Sequence, residues 1–301
     1  MIPISYLREW VAMAPWSDLR QVEQDLIICR ALCDLFNDPF LAPRIAFRGG
    51  TAIHKLLFKR PLRYSEDIDL IQMEAEPIGP TIDAVRKALS WLGKCRTQHA
   101  EHSIHLIFRF TPEVSPEADL KLEVEMNTRE HESLYGVRDY PFEVESSWYR
   151  GKTTIRSFDP EELFGTKLRA LLQRRKSRDL FDLGEGLSQL TLELDKLVAS
   201  FKHYLGLQGI EITRAMAEER MLEKLNRSLT EDITPLLPAG VTFTDGQAID
   251  AFERVWRELV SRIEGEPWKL SARNIEKIRT SIPGFLEKDS GHGGEPRASE
   301  K

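Results

Sequence analysis

The segment from Phe47 to Ile71, FRGGTAIHKLLFKRPLRYSEDIDLI, places a glycine pair and a run of cations directly before a group of carboxylates. RIAFR at 44–48 is a short apolar run that predicts a buried strand, and TAIHKLLF at 51–58 predicts a helix after the glycines. DIDLIQM at 67–73 alternates as a second strand. The first half of the chain is therefore organised around a strand, a glycine turn, a helix and a strand.

The flanking patterns continue this alternation. A helix is predicted over 17–36, capped by Ser17 or Asp18, and PTIDAVRKALSWLG predicts another. HSIHLIFRF and ADLKLEVEMN add two strands separated by a turn-rich segment. Strands and helices in this irregular order indicate an α+β fold with a small mixed sheet.

The second half of the chain is different. After about Arg150 the strand patterns fade, and five segments with helical periodicity follow. The first begins with Asp159 as an N-cap and Pro160 as the first helical residue. We therefore expect a first domain over residues 1–150, a helical domain over 151–286, and a disordered polar tail over 287–301.

Composition narrows the class of protein. The net charge of −6 argues against a protein that coats nucleic acid indiscriminately. Three cysteines do not indicate a disulfide framework. The sequence predicts no membrane span, and its first residues do not form an export signal, so we expect a cytoplasmic protein.

The paired aspartates suggest a cation site. On a strand, Asp67 and Asp69 point to the same face with Cα atoms about 6.5–7 Å apart, so their oxygens can converge on a hard divalent cation. A solvated acidic strand end is the alternative interpretation. In LKLEVEMN, either Glu123 or Glu125 could add a third carboxylate, and Glu123 is favoured.

The glycine turn suggests a phosphate site next to these carboxylates. Gly49 and Gly50 let the backbone and the first free helical N–H groups approach an anion. Thr51 adds a hydroxyl, and Lys55 adds a cation one turn later. The segment from Phe40 to Ser65 holds six Lys or Arg residues and no acid. A glycine turn followed by two metal-ready aspartates suits a metal-bound triphosphate.

Three motifs in this order, FRGGTAIHK, RYSEDIDL and TKLRALLQRRKSRDLFDL, resemble the AbiEii family of nucleotidyltransferase-like toxins. That family includes the mycobacterial MenT toxins and lies within the DNA polymerase β-like superfamily. The resemblance extends from about residue 21 to about residue 190. It implies a nucleotidyltransferase sheet and a helical C-terminal lobe that together form the active site.

The resemblance also implies roles for individual residues. Gly50 and Thr51 match the glycine-serine motif that holds the triphosphate, and Lys55 matches the basic residue that ends this motif. Asp67 and Asp69 match the carboxylates that bind Mg²⁺ or Mn²⁺. Lys167 matches the lysine of the third motif. Asp182 matches the acidic residue of the fourth, with Asp179 as the alternative.

The third motif is strongly basic. From Lys167 to Arg178, six of twelve residues are basic and none is acidic. Lys167 could hold a nucleotide phosphate, while a solvated helix end is the alternative for such a run. The cations that could contact an RNA backbone are Arg174, Arg175, Lys176 and Arg178.

These features lead to one functional hypothesis and two alternatives. The expected activity is metal-dependent transfer of NMP from an NTP to RNA, and the resemblance implies the 3′ end of tRNA as the acceptor. Such a modification would block aminoacylation, and a cognate antitoxin encoded nearby is the implied partner. The alternatives are nucleotidylation of a protein or small molecule, and nucleotide binding without transfer.

Overall fold

The computed structural model describes residues 1–114, 116 and 118–287. The first part of the chain forms α1 (Ile4–Trp10), α2 (Leu19–Asn37), β1 (Ile45–Arg48), α3 (Gly49–Ala52), β2 (Asp67–Gln72), α4 (Gly79–Ala88), β3 (Cys95–His99), β4 (Ser103–Phe110), β5 (Leu120–Asn127), β6 (Val137–Glu145) and β7 (Arg150–Phe158). A π-helical turn over Ile53–Leu57 continues α3. The remaining helices are α5 (Pro160–Gln173), α6 (Arg178–Gln189), α7 (Leu194–Gly206), α8 (Arg214–Lys224), α9 (Asp245–Glu258) and α10 (Ser271–Arg279).

All seven strands belong to one mixed sheet in the order β3-β4-β5-β2-β1-β7-β6. β2 pairs in parallel with β5, and β1 pairs in parallel with β7, whereas the other neighbours are antiparallel. The predicted α+β class, with a mixed sheet followed by helices, is confirmed. The four predicted strands are β1, β2, β4 and β5, and they are neighbours in the sheet in the order β4-β5-β2-β1.

The sheet extends beyond the boundary predicted at residue 150, because β7 runs to Phe158. Most side chains of β6 are exposed, and Pro141 interrupts its pattern, which is tolerated because β6 is an edge strand. The predicted tail, residues 287–301, lies outside the described residues except for Glu287. No helix among the described residues is both long and apolar enough to cross a membrane.

The two faces of the sheet pack against different cores. Ile68 and Leu70 of β2 point into a core shared with α2, while Ile71 packs with Ala46 and Phe158 against the C-terminal helices. Because side chains alternate along a strand, the aspartates at the start of β2 lie on the same face as Ile71. The polar end of this face therefore lies beside the C-terminal helices.

The junction between sheet and helices is short and well capped. Asp159 follows β7 directly, and its side chain accepts a hydrogen bond from the backbone N–H of Glu161, so the predicted N-cap of α5 is confirmed. α5 packs mainly against α7 and α6. This arrangement fixes α5 and the start of α6 next to the ends of β1 and β2.

Candidate active site

The glycine pair brings the backbone into contact with charged side chains. Gly49 has φ +78°, and a Cβ on it would lie 1.8 Å from Oδ2 of Asp69. A Cβ on Gly50 would lie 2.6 Å from Nη2 of Arg63 and 3.2 Å from Nζ of Lys167. Only glycine lets one acid and two cations approach the first turn of α3 this closely.

Asp67 and Asp69 are half-buried on the same face of β2. Within the described part of the chain, neither carboxylate has a hydrogen-bond or salt-bridge partner. Burial and the neighbouring charges of Asp69 and Glu66 raise the pKa of Asp67 to about 7. Burial and Glu125 likewise raise the pKa of Asp69. Two half-buried, mutually repelling carboxylates are electrostatically unfavourable without a cation, so this pair is suited to bind one.

A cavity of about 280 Å³ opens between β2, the glycine turn and α5. Its wall contains the acids Asp67, Asp69 and Glu125 and the cations Arg48, Arg63, Lys167, Arg169, Arg174 and Arg178. Glu130, which lies outside the wall, forms ion pairs with Arg48 and Arg169. The cavity thus has a carboxylate side suited to a metal ion and a larger cationic side suited to phosphates.

Lys167 of α5 lies between two buried aspartates of α6. Its Nζ is 3.2 Å from Oδ1 of Asp179 and 2.9 Å from Oδ2 of Asp182. Burial alone would raise the pKa of each aspartate, but the adjacent cations hold both pKa values below the usual range. Neither aspartate lines the cavity. Both candidates for the fourth-motif acid therefore contact Lys167 from outside the cavity wall.

Arg63 was not assigned to the site from the sequence, yet it lines the cavity. Its guanidinium donates to Asp182 from Nε at 2.7 Å and from Nη2 at 2.8 Å. Burial would lower the pKa of Arg63, but Asp182 raises it, so the charge is retained. The available signal was its place in RYSED, immediately before the paired aspartates.

Two of the predicted nucleotide-binding side chains point away from the cavity. The hydroxyl of Thr51 donates to the backbone carbonyl of Asp67 at 2.6 Å, so it fixes β2 and does not line the cavity wall. Nζ of Lys55 donates to Oδ1 of Asp25 at 2.7 Å. Burial would lower the pKa of Lys55, but Asp25 raises it. The π-helical turn and the carboxylate on α2 thus direct Lys55 into the protein.

The structure favours Glu125 over Glu123 as a cavity carboxylate. The parallel register places Glu123 beside Asp67 and Glu125 beside Asp69, but only Glu125 lines the cavity. Glu123 accepts hydrogen bonds from Nδ1 of His105 at 2.8 Å and from Lys121 at 2.7 Å. Burial would raise the pKa of Glu123, but these two partners lower it.

The three carboxylates predicted as a metal set do not converge. Across residues 1–114, 116 and 118–287, no group of three or more His, Cys, Asp or Glu side chains is arranged to hold a metal. Two aspartates without cationic partners still fit Mg²⁺ or Mn²⁺, because such ions commonly take one or two carboxylates and complete their shell with water and substrate phosphates.

The predicted RNA-binding cations form the connection between α5 and α6. Arg174, Arg175 and Lys176 are exposed, and Arg178 is half-buried. Arg174 and Arg178 line the cavity, whereas Arg175 and Lys176 lie outside its wall. The exposed cations of this connection are therefore neighbours, in the chain, of two cations that line the cavity.

Among the solved structures with a similar fold are two that cover at least 90% of this chain. MenT4, a nucleotidyltransferase toxin from Mycobacterium tuberculosis H37Rv, has 16% sequence identity and a TM-score of 0.63 over 95% of this chain and 98% of its own. JHP933 from Helicobacter pylori has 17% identity and a TM-score of 0.52 over 90% of this chain and 100% of its own. No curated protein matches the sequence significantly.

The match to a family model is more specific than these structural likenesses. Residues 30–264 match the family described as nucleotidyl transferase AbiEii toxin, type IV toxin–antitoxin system. That range contains the glycine turn, both β2 aspartates, Lys167 and α6. The chain belongs to the AbiEii family of nucleotidyltransferase toxins.

Proposed function

We propose that the protein transfers a nucleoside monophosphate from an NTP to a hydroxyl group of RNA, at the 3′ end of tRNA. One observation carries this proposal: the same cavity wall contains two aspartates without salt-bridge partners among the described residues and, on its other side, a cluster of cations. The triphosphate of an NTP supplies negative charge to the cationic side, and its metal ion supplies positive charge to the aspartates.

The cationic side would bind the triphosphate. Lys167 and Arg63 converge beside Gly50, where the backbone leaves room for phosphate oxygens. When the acceptor hydroxyl attacks the α-phosphorus, the bond to pyrophosphate breaks and negative charge grows on the leaving group. Fixed cations at this position stabilise that charge without having to reorganise.

Asp67 and Asp69 would hold Mg²⁺ or Mn²⁺, with NTP phosphates supplying further oxygens. A divalent ion bound there would offset triphosphate charge and help to align the reacting oxygens. Glu125, next to Asp69 in the register, replaces Glu123 as our preferred third carboxylate. Thr51 would contribute by fixing the backbone of Asp67, and its hydroxyl would not contact phosphate.

Asp182 is a positioning residue in this proposal, and it does not act as the base. It is fully buried, it lies outside the cavity wall, and its cationic neighbours hold its pKa well below the usual range. Such a carboxylate is a poor proton acceptor. Its contribution is to orient Lys167 and Arg63, and Asp179 orients Lys167 together with Arg174.

The acceptor would approach over the connection between α5 and α6. Arg174 and Arg178 would contact phosphates near the reacting end, and Arg175 and Lys176 would contact phosphates farther along the strand. Because NTPs and tRNA are cytoplasmic, we expect the protein to act there. As a toxin of this family it would be restrained by a cognate antitoxin encoded nearby.

The test is transfer of labelled nucleotide to total tRNA by the purified protein, with each of the four NTPs and with Mg²⁺ or Mn²⁺. Label should appear at RNA 3′ ends, and Asp67→Asn should abolish it. Asp83→Asn, an exposed aspartate on α4, is the matched control and should transfer normally. Label in protein or in a small molecule would refute the RNA acceptor, and binding of NTP without any transfer would refute catalysis.

A further inference from the structure

His54 is a buried histidine directly behind the proposed triphosphate site. It is the second residue of the π-helical turn, its side chain is 1% exposed, and its ring stacks on Phe58 at 5.6 Å. It does not line the cavity, so it cannot touch a bound nucleotide. Nothing in the proposed reaction so far uses it.

The partners of the ring define its tautomer. Nδ1 accepts a hydrogen bond from the backbone N–H of Leu62 at 3.3 Å, which leaves the ring proton on Nε2. Nε2 lies 2.9 Å from Oδ1 of Asp182 and therefore donates to it. Burial, only partly offset by Asp182, lowers the pKa of His54 to about 4, so the ring is neutral near pH 7.

Asp182 is the point at which four donors meet. Oδ1 accepts from Nε2 of His54 and from Nε of Arg63, while Oδ2 accepts from Nη2 of Arg63 and pairs with Lys167. Arg63 binds both oxygens of this carboxylate, whereas Lys167 pulls on Oδ2 alone. The donor from His54 opposes this one-sided pull at Oδ1, and because the ring is neutral it adds no repulsion toward either cation.

We propose that His54 is a positioning residue that orients Asp182 and thereby directs Arg63 and Lys167 toward the triphosphate. This inference rests on the proposed function only for the identity of the ligand. In physical terms, the hydrogen bond from Nε2 of His54 to Asp182 strengthens the binding of a chain of phosphates in the cavity.

Two substitutions separate the two hydrogen bonds of the ring. His54→Gln places an amide N–H near the position of Nε2 and keeps the donor to Asp182, but it loses the acceptor for Leu62. His54→Asn places an oxygen near the position of Nδ1 and keeps that acceptor, but it is too short to reach Asp182. The readout is calorimetric binding of inorganic tripolyphosphate in Mg²⁺ to the full chain, together with KM and kcat for NTP.

We expect His54→Asn to weaken tripolyphosphate binding about 10-fold and to raise KM for NTP similarly, the effect of losing one charge-assisted hydrogen bond. His54→Gln should stay within about 3-fold of wild type. Leu197→Ala, which removes a buried side chain on α7 outside the cavity, controls for lost stability.

The inference would be overturned by wild-type affinity in His54→Asn, by a larger loss in His54→Gln than in His54→Asn, or by an equal loss in Leu197→Ala. A wild-type protein that does not bind tripolyphosphate would also overturn it. If the wild type binds tripolyphosphate but labels no acceptor, the proposed function fails, while the ranking of the His54 variants still decides the inference.

Discussion

Replacing Asp182 with asparagine should destabilise the whole fold and also impair the site. The substitution leaves Arg63, 2% exposed, and Lys167, 7% exposed at its side chain, facing a neutral amide. Removing one partner of a buried ion pair costs about 3–5 kcal/mol in the free energy of unfolding. For a chain of 301 residues, with an unfolding entropy of about 2 cal/mol/K per residue, the melting temperature should fall by about 5–8 °C.

The pH dependence of this loss follows from the depressed pKa of Asp182. A carboxylate with a lowered folded-state pKa stabilises the fold fully above its unfolded pKa of about 4, and this stabilisation disappears as the pH falls through the folded-state pKa. The difference in stability between wild type and Asp182→Asn should therefore be constant from about pH 5 to pH 8 and shrink below about pH 4. Thermal unfolding followed by circular dichroism across this range measures both quantities.

Asp195→Asn is the matched control, because Asp195 pairs with Arg262 at 2.7 Å while remaining 87% exposed. An exposed pair contributes at most about 1 kcal/mol, so this variant should melt within about 2 °C of wild type. Equal melting temperatures for the two variants would refute the assignment of Asp182 as the buried anion that holds the cationic wall together.

Three further outcomes test the geometry of the site. Gly49→Ala should abolish nucleotide transfer, because its Cβ would lie 1.8 Å from the Asp69 carboxylate. Gly93→Ala, at φ +89° with open space around its Cβ position, is the control; it should lower the melting temperature but leave transfer intact. Glu125→Gln should raise the Mg²⁺ concentration needed for half-maximal transfer more than Glu123→Gln does, since only Glu125 lines the cavity. The reverse order would favour Glu123 as the third metal carboxylate. Lys55→Met should lower the melting temperature, because it leaves the buried carboxylate of Asp25 on α2 without its ion-pair partner. KM for NTP should stay within about 3-fold of wild type, and a large rise in KM would show that Lys55 contacts the phosphates.

The sequence predicted the parts of the site that depend on local pattern. The glycine turn between a strand and a helix, the two aspartates on one face of β2, and the N-cap of α5 all follow from spacings of a few residues. The three quoted motifs also identified the family correctly. Strands β3, β6 and β7 were missed because β3 and β7 consist mostly of polar residues and β6 is mostly exposed, so none shows the apolar alternation of a buried strand.

The remaining features depend on partners that are distant in the chain. Lys55 was expected at the phosphate site, but its orientation is set by a carboxylate on α2. Arg63 belongs to a segment without periodicity, and its position is set by Asp182, 119 residues later. Alternation could not separate Glu123 from Glu125, because the choice depends on the cavity position and on His105 of β4.

The sharing of Asp182 between Arg63 and Lys167 has a consequence for synthesis of the protein. A nascent chain that has emerged only as far as β7 already contains the glycine pair and both β2 aspartates, but neither Lys167 nor its buried counterion. The part of the cationic wall formed by Arg63 and Lys167 cannot be held in place until α6 has left the ribosome. Premature stop codons and proteolytic fragments that lack α6 should therefore be harmless to the cell, and a loss-of-toxicity screen should recover truncations throughout the first 182 codons.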